Sequence, residues 1–371
     1  MLLNKRILAL LAVTALLLVG FGCASTPEAP VEDTSWMFHS IVDTAFVQQY
    51  AKVPVPADTM IIDSRPKRPK YDKGYIPSAI SIPDSKFDEL KGNLPENKDA
   101  LLIFYCGGLK CKLSHKSARK AEALGYTNVK VFAEGFPTWK STPGNYYAVE
   151  LGAVKTLMET EAPMMVIDSR PKRAKYDKGH IPGAISIPDT KFDEFKGLLP
   201  QDKDIPLVYY CGGYTCKLSH SSATKAVALG YNKVMVFAAG YPAWKKEMGA
   251  GMAAVPVKAG TEEGSIDIAT FEKIIKKSPN SIMLIDVRDA DEYTAGHFKT
   301  AVNLPTDELE AKIDTLPSDK PIVFVCSTGA RSGEAFYMLQ DIRPELNEVY
   351  YLEAEITYEK DGAFTIKKPV S

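Results

Sequence analysis

The 371-residue chain has no excess of charge of either sign, no bilayer-length apolar run and no full set of ligands at metal-site spacing. Its 45 Lys and Arg stand against 46 Asp and Glu, a formal net charge of -1. That balance argues against a nucleic-acid partner and gives no reason to expect a polybasic contact with a membrane surface. The most apolar stretch, Ile7 to Val19, is too short to span a bilayer comfortably. Zinc would need a third and a fourth ligand at matching spacing beside two close cysteines. His115 and His220 are the candidates, and nothing completes the set. No resident metal or cofactor is expected.

At the N-terminus, Lys5 and Arg6 precede the apolar run, and Gly20 and Gly22 lead to Cys23. Residues 1–23 therefore resemble a bacterial lipoprotein signal, which predicts lipidation at Cys23. Plain signal cleavage nearby, with Cys23 incidental, is the alternative. Gly20 stands where that signal usually has leucine. Both readings export the protein; the lipoprotein reading puts it on the periplasmic face of a bacterial membrane, with the outer membrane as the expectation. Residues 24–36, rich in Pro, Ser, Thr and Glu at their start, follow as a tether.

Two stretches then repeat each other. Leu101 to Tyr105 is an apolar run leading to Cys106-Gly-Gly-Leu-Lys-Cys111-Lys112-Leu-Ser-His115. Leu207 to Tyr210 leads to Cys211-Gly-Gly-Tyr-Thr-Cys216-Lys217-Leu-Ser-His220. Each reads as strand, tight loop, helix, a geometry that turns backbone N–H groups and a helix N-terminus toward the loop. A cysteine placed directly after the strand is expected to be acidic and reactive. A third version, Ile322 to Val325 followed by Cys326-Ser-Thr-Gly-Ala-Arg331, has arginine where the others carry their second cysteine.

A shift of 105 residues superimposes the first copy on the second without a gap, carrying Asp63-Ser-Arg65 onto Asp168-Ser-Arg170 and Trp139 onto Trp244. The third copy keeps the order with Asp286-Val-Arg288, Gly296-His297 and Cys326. A repeat of that length is a whole domain rather than a solenoid unit. The expected domains are 37–145, 146–252 and 262–371. Buried-strand runs at Met60–Asp63, Ala79–Ile82, Leu101–Tyr105 and Val129–Phe132 alternate with helical patterns at Ser85–Gly92 and Ser114–Leu124. The fold class is α/β, with a central parallel sheet flanked by helices in each domain.

The Asp-x-Arg at a strand end, the Gly179-His180-Ile-Pro-Gly-Ala184 stretch, the strand ending in cysteine and the Gly-x-Pro-x-Trp segment resemble the rhodanese domain family, three times over. That resemblance implies a sulfurtransferase or sulfane-sulfur carrier working through cysteine persulfides. Its substrates would be a small sulfur anion, thiosulfate or polysulfide, and a thiol or cyanide acceptor. It implies Cys326 as nucleophile with Arg331 anchoring loop and donor, and Asp286–Arg288 as a supporting ion pair; the matching positions are Cys106 and Cys211, Asp63–Arg65 and Asp168–Arg170. Cys111 and Cys216 read as resolving or loop cysteines, and Lys112 and Lys217 as supporting groups. The first two loops are expected to be about two residues longer than the third. They are open to three readings: active, redox-gated or structural. Two rivals follow, a thiol–disulfide redox protein and a non-catalytic binding module; a phosphatase fits least, because the third loop is short and the first two lack the arginine.

Lys67, Arg68 and Lys70, with Lys172, Arg173 and Lys175, are either a positive field near the loops or a solvated basic loop. His297 is expected to fix a turn. Ala354-Glu-Ile-Thr-Tyr358 stands where the first copies have Gly135–Trp139 and Gly240–Trp244, so one wall of the third site is expected to differ.

Overall fold

The computed structural model describes residues 34–159, 163–249, 257–318, 320–359 and 363–368. The leader, Cys23 and residues 24–33 of the tether lie outside the described residues. The first domain carries β1 (Ile41–Val42), β2 (Thr59–Asp63), β3 (Ile80–Ser81), β4 (Leu101–Tyr105) and β5 (Val129–Phe132). Their order in the sheet is β1-β5-β4-β2-β3, every pair parallel. All five residues of β4 are buried, as a central strand covered on both faces requires. The second domain repeats the arrangement with β6 (Tyr147–Val149), β7 (Met165–Asp168), β8 (Ile185–Ser186), β9 (Leu207–Tyr210) and β10 (Val234–Phe237), ordered β6-β10-β9-β7-β8.

The third sheet is shorter. It holds β11 (Met283–Asp286), β12 (Val302–Asn303), β13 (Ile322–Val325) and β14 (Val349–Tyr351) in the order β12-β11-β13-β14. Its fifth strand is reduced to one parallel bridge between Ser265 and Tyr351. Beyond it, β15 (Glu355–Tyr358) and β16 (Phe364–Lys367) form an antiparallel hairpin. One continuous core includes Ile103, Tyr209 and Phe324 from the middle strand of each sheet.

The parallel α/β reading is what the chain adopts, with differences in detail. The predicted helix over Ser85–Gly92 is broken into 3-10 turns at Asp84–Lys86 and Lys91–Asn93 around an α-turn at Phe87–Leu90. Pro83 and Pro95 bracket the segment and leave too little chain for a longer helix. The helix after the first loop runs Leu113–Ala123, and Gly125 follows at φ +88°, a left-handed stop that glycine adopts without strain. The edge strands β1 and β6 were not legible, being two and three residues long.

Candidate active site

Each middle strand ends one residue before a cysteine: β4 before Cys106, β9 before Cys211 and β13 before Cys326. The neighbouring strand ends in a fully buried aspartate, Asp63, Asp168 or Asp286. Arg65 Nε donates to Asp63 Oδ1 at 2.9 Å, and its Nη2 donates to the Gly74 carbonyl at 2.7 Å. Arg170 makes the same bonds to Asp168 and Gly179, and Arg288 to Asp286 and Gly296. These pairs tie a strand end to the following turn and hold one side of the site. Buried charge is tolerated because every partner is satisfied.

The third loop is short. Three residues, Ser327 to Gly329, separate Cys326 from the helix Ala330–Ile342. The Gly329 N–H donates to Cys326 Sγ at 3.1 Å, and Ser332 Oγ lies 3.5 Å from the same sulfur. Burial pushes this thiol up, but hydrogen bonds from Ser332 and from the Thr328, Ser332 and Gly329 amides outweigh it and hold the pKa below the ordinary thiol value. Arg331 does not point freely into the loop. Its fork is held by Glu292, Nη1 to Oε2 at 2.6 Å and Nη2 to Oε1 at 2.8 Å, with Ser327 Oγ at 3.5 Å.

In the first loop, six residues separate Cys106 from its helix. Ser114 Oγ lies 3.0 Å from Cys106 Sγ, as Ser219 does from Cys211. This serine sets the register between loops: eight residues after Cys106, six after Cys326. The first two loops are thus longer by two residues, as the sequence indicates. Counted back from the shared serine, the partner of Arg331 is Leu113 or Leu218, not Cys111 or Cys216. The shared serine was the missed signal, since all three copies carry it.

The expected acidity of Cys106 and Cys211 is reversed by the structure. Both sulfurs are buried, and each donates to the carbonyl of the second cysteine of its loop at 3.1 Å. Contact with that second cysteine, and then burial, pushes both thiols up. Cys111 and Cys216 are half-buried and drop to about 6. The hydrogen bond from the first thiol is the largest cause, joined by the Gly107 and Leu113 amides and Arg65 at Cys111, and by their counterparts at Cys216. Neither pair is oxidised to a disulfide. The two cysteines of each loop thus already meet, through the 3.1 Å bond from the first sulfur to the carbonyl of the second residue.

The remaining sequence candidates fall into place around this frame. Lys112 and Lys217 sit exposed at the helix starts. Lys67 pairs with Asp72 at 2.6 Å and Lys172 with Asp177 at 2.9 Å, while Arg68 and Lys70 are exposed, a solvated basic loop. His115 Nδ1 accepts the Phe38 N–H at 2.9 Å, and His220 Nδ1 lies 3.2 Å from Tyr146 Oη, so each histidine holds the chain entering its domain. His297 stacks on Tyr293 and bonds its carbonyl at 2.9 Å, fixing the turn. In the second loop, Tyr214 donates to Glu150 at 2.8 Å, and Tyr75 of the first domain donates to the same carboxylate at 3.0 Å. The sequence offered no sign of that link. A separate cavity of about 250 Å³ lies at the strand-start ends of β7 and β11, against Met164, Met165, Met283 and Lys277, away from every loop cysteine.

The third wall differs as expected, with one correction. Gly135 and Gly240 sit at φ +65° and +62°, and a Cβ at either would clash with the carbonyl of its loop cysteine. Phe136 and Tyr241 follow, donating N–H to that carbonyl at 3.0 Å and covering Arg65 and Arg170. In the third domain Tyr358 covers Arg288 and its hydroxyl donates to the Cys326 carbonyl at 3.0 Å. Tyr358 therefore does the work of Phe136, not of Trp139.

A parallel sheet whose middle strand delivers a cysteine to a helix N-terminus, three times in one chain, defines a tandem cysteine-loop α/β protein. The chain belongs to the rhodanese-like domain family, whose domain matches residues 47–142, 150–247 and 268–357. It is 34% identical over 70 residues to the uncharacterized protein YqhL of Bacillus subtilis, a match spanning 19% of this chain and 54% of that relative. It is 26% identical over 226 residues to a putative thiosulfate sulfurtransferase, SseA, of Mycobacterium leprae, spanning 47% of this chain and 76% of the relative. It is 29% identical over 97 residues to the thiosulfate:glutathione sulfurtransferase of Saccharomyces cerevisiae, spanning 20% and 70%.

Proposed function

We propose that the protein is an exported, lipid-anchored sulfurtransferase that carries sulfane sulfur as cysteine persulfides. One observation carries this reading: Cys326 Sγ accepts the Gly329 N–H at 3.1 Å within a nest of amides that keeps the thiol acidic. A thiolate, its persulfide and an anionic donor all carry negative charge, so the same amides serve each without a general base. Cys326 attacks the outer sulfur of thiosulfate and sulfite leaves; a thiol or cyanide then takes the sulfur. Arg331, clamped by Glu292 and 3.5 Å from Ser327 of the loop, meets the anionic donor. The family relatives named for thiosulfate chemistry support the substrate class. Export and the anchor at Cys23 rest on Lys5, Arg6 and the apolar run to Val19. Among the described residues no helix is long and apolar enough to cross a membrane.

The test is mass spectrometry of the intact protein after incubation with thiosulfate, followed by peptide mapping. One added sulfur on Cys326, removed by cyanide, is the expected result. A protein that gains none on any cysteine is not a sulfurtransferase.

A further inference from the structure

The first two loops hold two thiols each, and their arrangement does not match that of a single nucleophile. Cys106 is buried at the strand end, and its thiol proton is directed to the Cys111 carbonyl at 3.1 Å. Cys111 is half-buried and lines an open cleft with Gly108, Leu109, Lys110, Glu134 and Pro137. Cys106 does not face that cleft. A Cβ on Gly107 would lie 3.7 Å from the Cys111 sulfur, in ordinary contact, which places that sulfur beside the strand end. Domain two repeats the burial of the first cysteine and the half-burial of the second, with the Cys211 thiol 3.1 Å from the Cys216 carbonyl and the Cys216 sulfur packed beside Gly212.

Resting on the sulfurtransferase reading above, we infer that Cys111 and Cys216 are the attacking sulfurs of the first two domains, with Cys106 and Cys211 as their resolving thiols. These two sites then reduce sulfane sulfur to hydrosulfide. The Cys111 thiolate attacks the outer sulfur of thiosulfate. An S–S bond forms, the donor S–S bond breaks and sulfite leaves with its electron pair, giving Cys111–S–S⁻. Cys106 then attacks Cys111 Sγ. The Cys106–Cys111 disulfide forms, the terminal sulfur leaves, and the proton from Cys106 goes with it as HS⁻. The two thiols are oxidised and the sulfane sulfur is reduced by two electrons. An external thiol reductant restores the dithiol. The buried, protonated state of Cys106 fits this order, because it withholds that sulfur from the donor and supplies the proton the leaving group needs. The third domain, whose shorter loop carries no second cysteine, stops at the persulfide.

The experiment uses the full chain carrying Cys326→Ser, so that only the paired loops report. Thiosulfate without reductant should release one hydrosulfide for each dithiol and leave two disulfides. Adding Cys106→Ser and Cys211→Ser should abolish hydrosulfide release and trap sulfur on Cys111 and Cys216. Adding Cys111→Ser and Cys216→Ser should abolish both sulfur loading and release. Cys106→Ala and Cys211→Ala, checked for a native melting transition, repeat the first test should the serines disturb the buried site. Sulfur trapped on Cys106 in the Cys111→Ser protein overturns the inference. So does an absence of loading on all four cysteines: if Cys326 of the unmodified chain still gains sulfur the wider reading stands, and if it does not, both fall.

Discussion

The ring of Tyr358 covers the guanidinium of Arg288, 3.8 Å from carbon to centroid, while its hydroxyl holds the Cys326 carbonyl at 3.0 Å. One side chain thus joins the buried Asp286–Arg288 pair to the loop that carries the nucleophile. Tyr358→Phe keeps the ring over Arg288 and removes only the hydroxyl bond. The expected loss is about 1 kcal/mol of stability, the usual net worth of such a bond. Alkylation of Cys326 should become slower as its loop loosens. Denaturant unfolding and labelling kinetics check both.

Gly135 and Gly125 separate two costs of adding a Cβ. Both have positive φ, but a Cβ on Gly135 also meets the Cys106 carbonyl and lies 2.8 Å from the Gly108 nitrogen, whereas around Gly125 nothing is within reach. Gly125→Ala should cost about 1 kcal/mol. Gly135→Ala should cost clearly more and should displace the first loop. Melting curves of the two variants, with the alkylation rate of Cys111 in each, decide it.

The thiol of Cys111 is held at about 6 by the Cys106 hydrogen bond and the loop amides. Its alkylation rate should therefore climb through that pH and level off well below the ordinary thiol pKa of about 8.5. Cys106, pushed up by the same contact and by burial, should stay slow across that range. Cys106→Ser replaces the donating thiol, and the Cys111 profile should shift. Equal midpoints for both cysteines would contradict the geometry.

Glu292 occupies the fork of Arg331 through two bonds, at 2.6 and 2.8 Å. Arg331→Ala should weaken thiosulfate binding at the third site and leave folding largely intact, since the arginine is partly exposed. Glu292→Gln removes the nearer of two carboxylates and leaves Arg331 only Asp289 at 3.8 Å, so thiosulfate should bind more tightly and with a steeper dependence on salt. Steady-state KM for thiosulfate at two ionic strengths measures both effects.

If Cys23 carries the lipid anchor, Cys23→Ala should move the protein from the membrane fraction to the soluble one. Fractionation followed by mass analysis of the mature N-terminus reads the outcome. An unchanged membrane fraction removes the anchor from the description.

The repeat, the parallel strands and the three loop cysteines were legible in the chain itself. Buried strands covered on both faces need continuous apolar runs such as Leu101–Tyr105, and a gap-free 105-residue shift exposes a duplicated domain without any coordinates. The aspartate and arginine of each Asp-x-Arg are two residues apart, so their pairing was local enough to read as well. What each cysteine is for was not. Cys106 and Cys111 occupy one loop, and only the fold decides which sulfur the strand buries and which the cleft exposes. Arg331 looked like a free anion anchor until a helix 39 residues away in sequence brought Glu292 onto it. Tyr358 could be placed over Arg288 only once β15 was seen to replace a helix. Burial, proton sharing and charge compensation depend on which distant groups meet, and the tertiary structure alone brings those groups together.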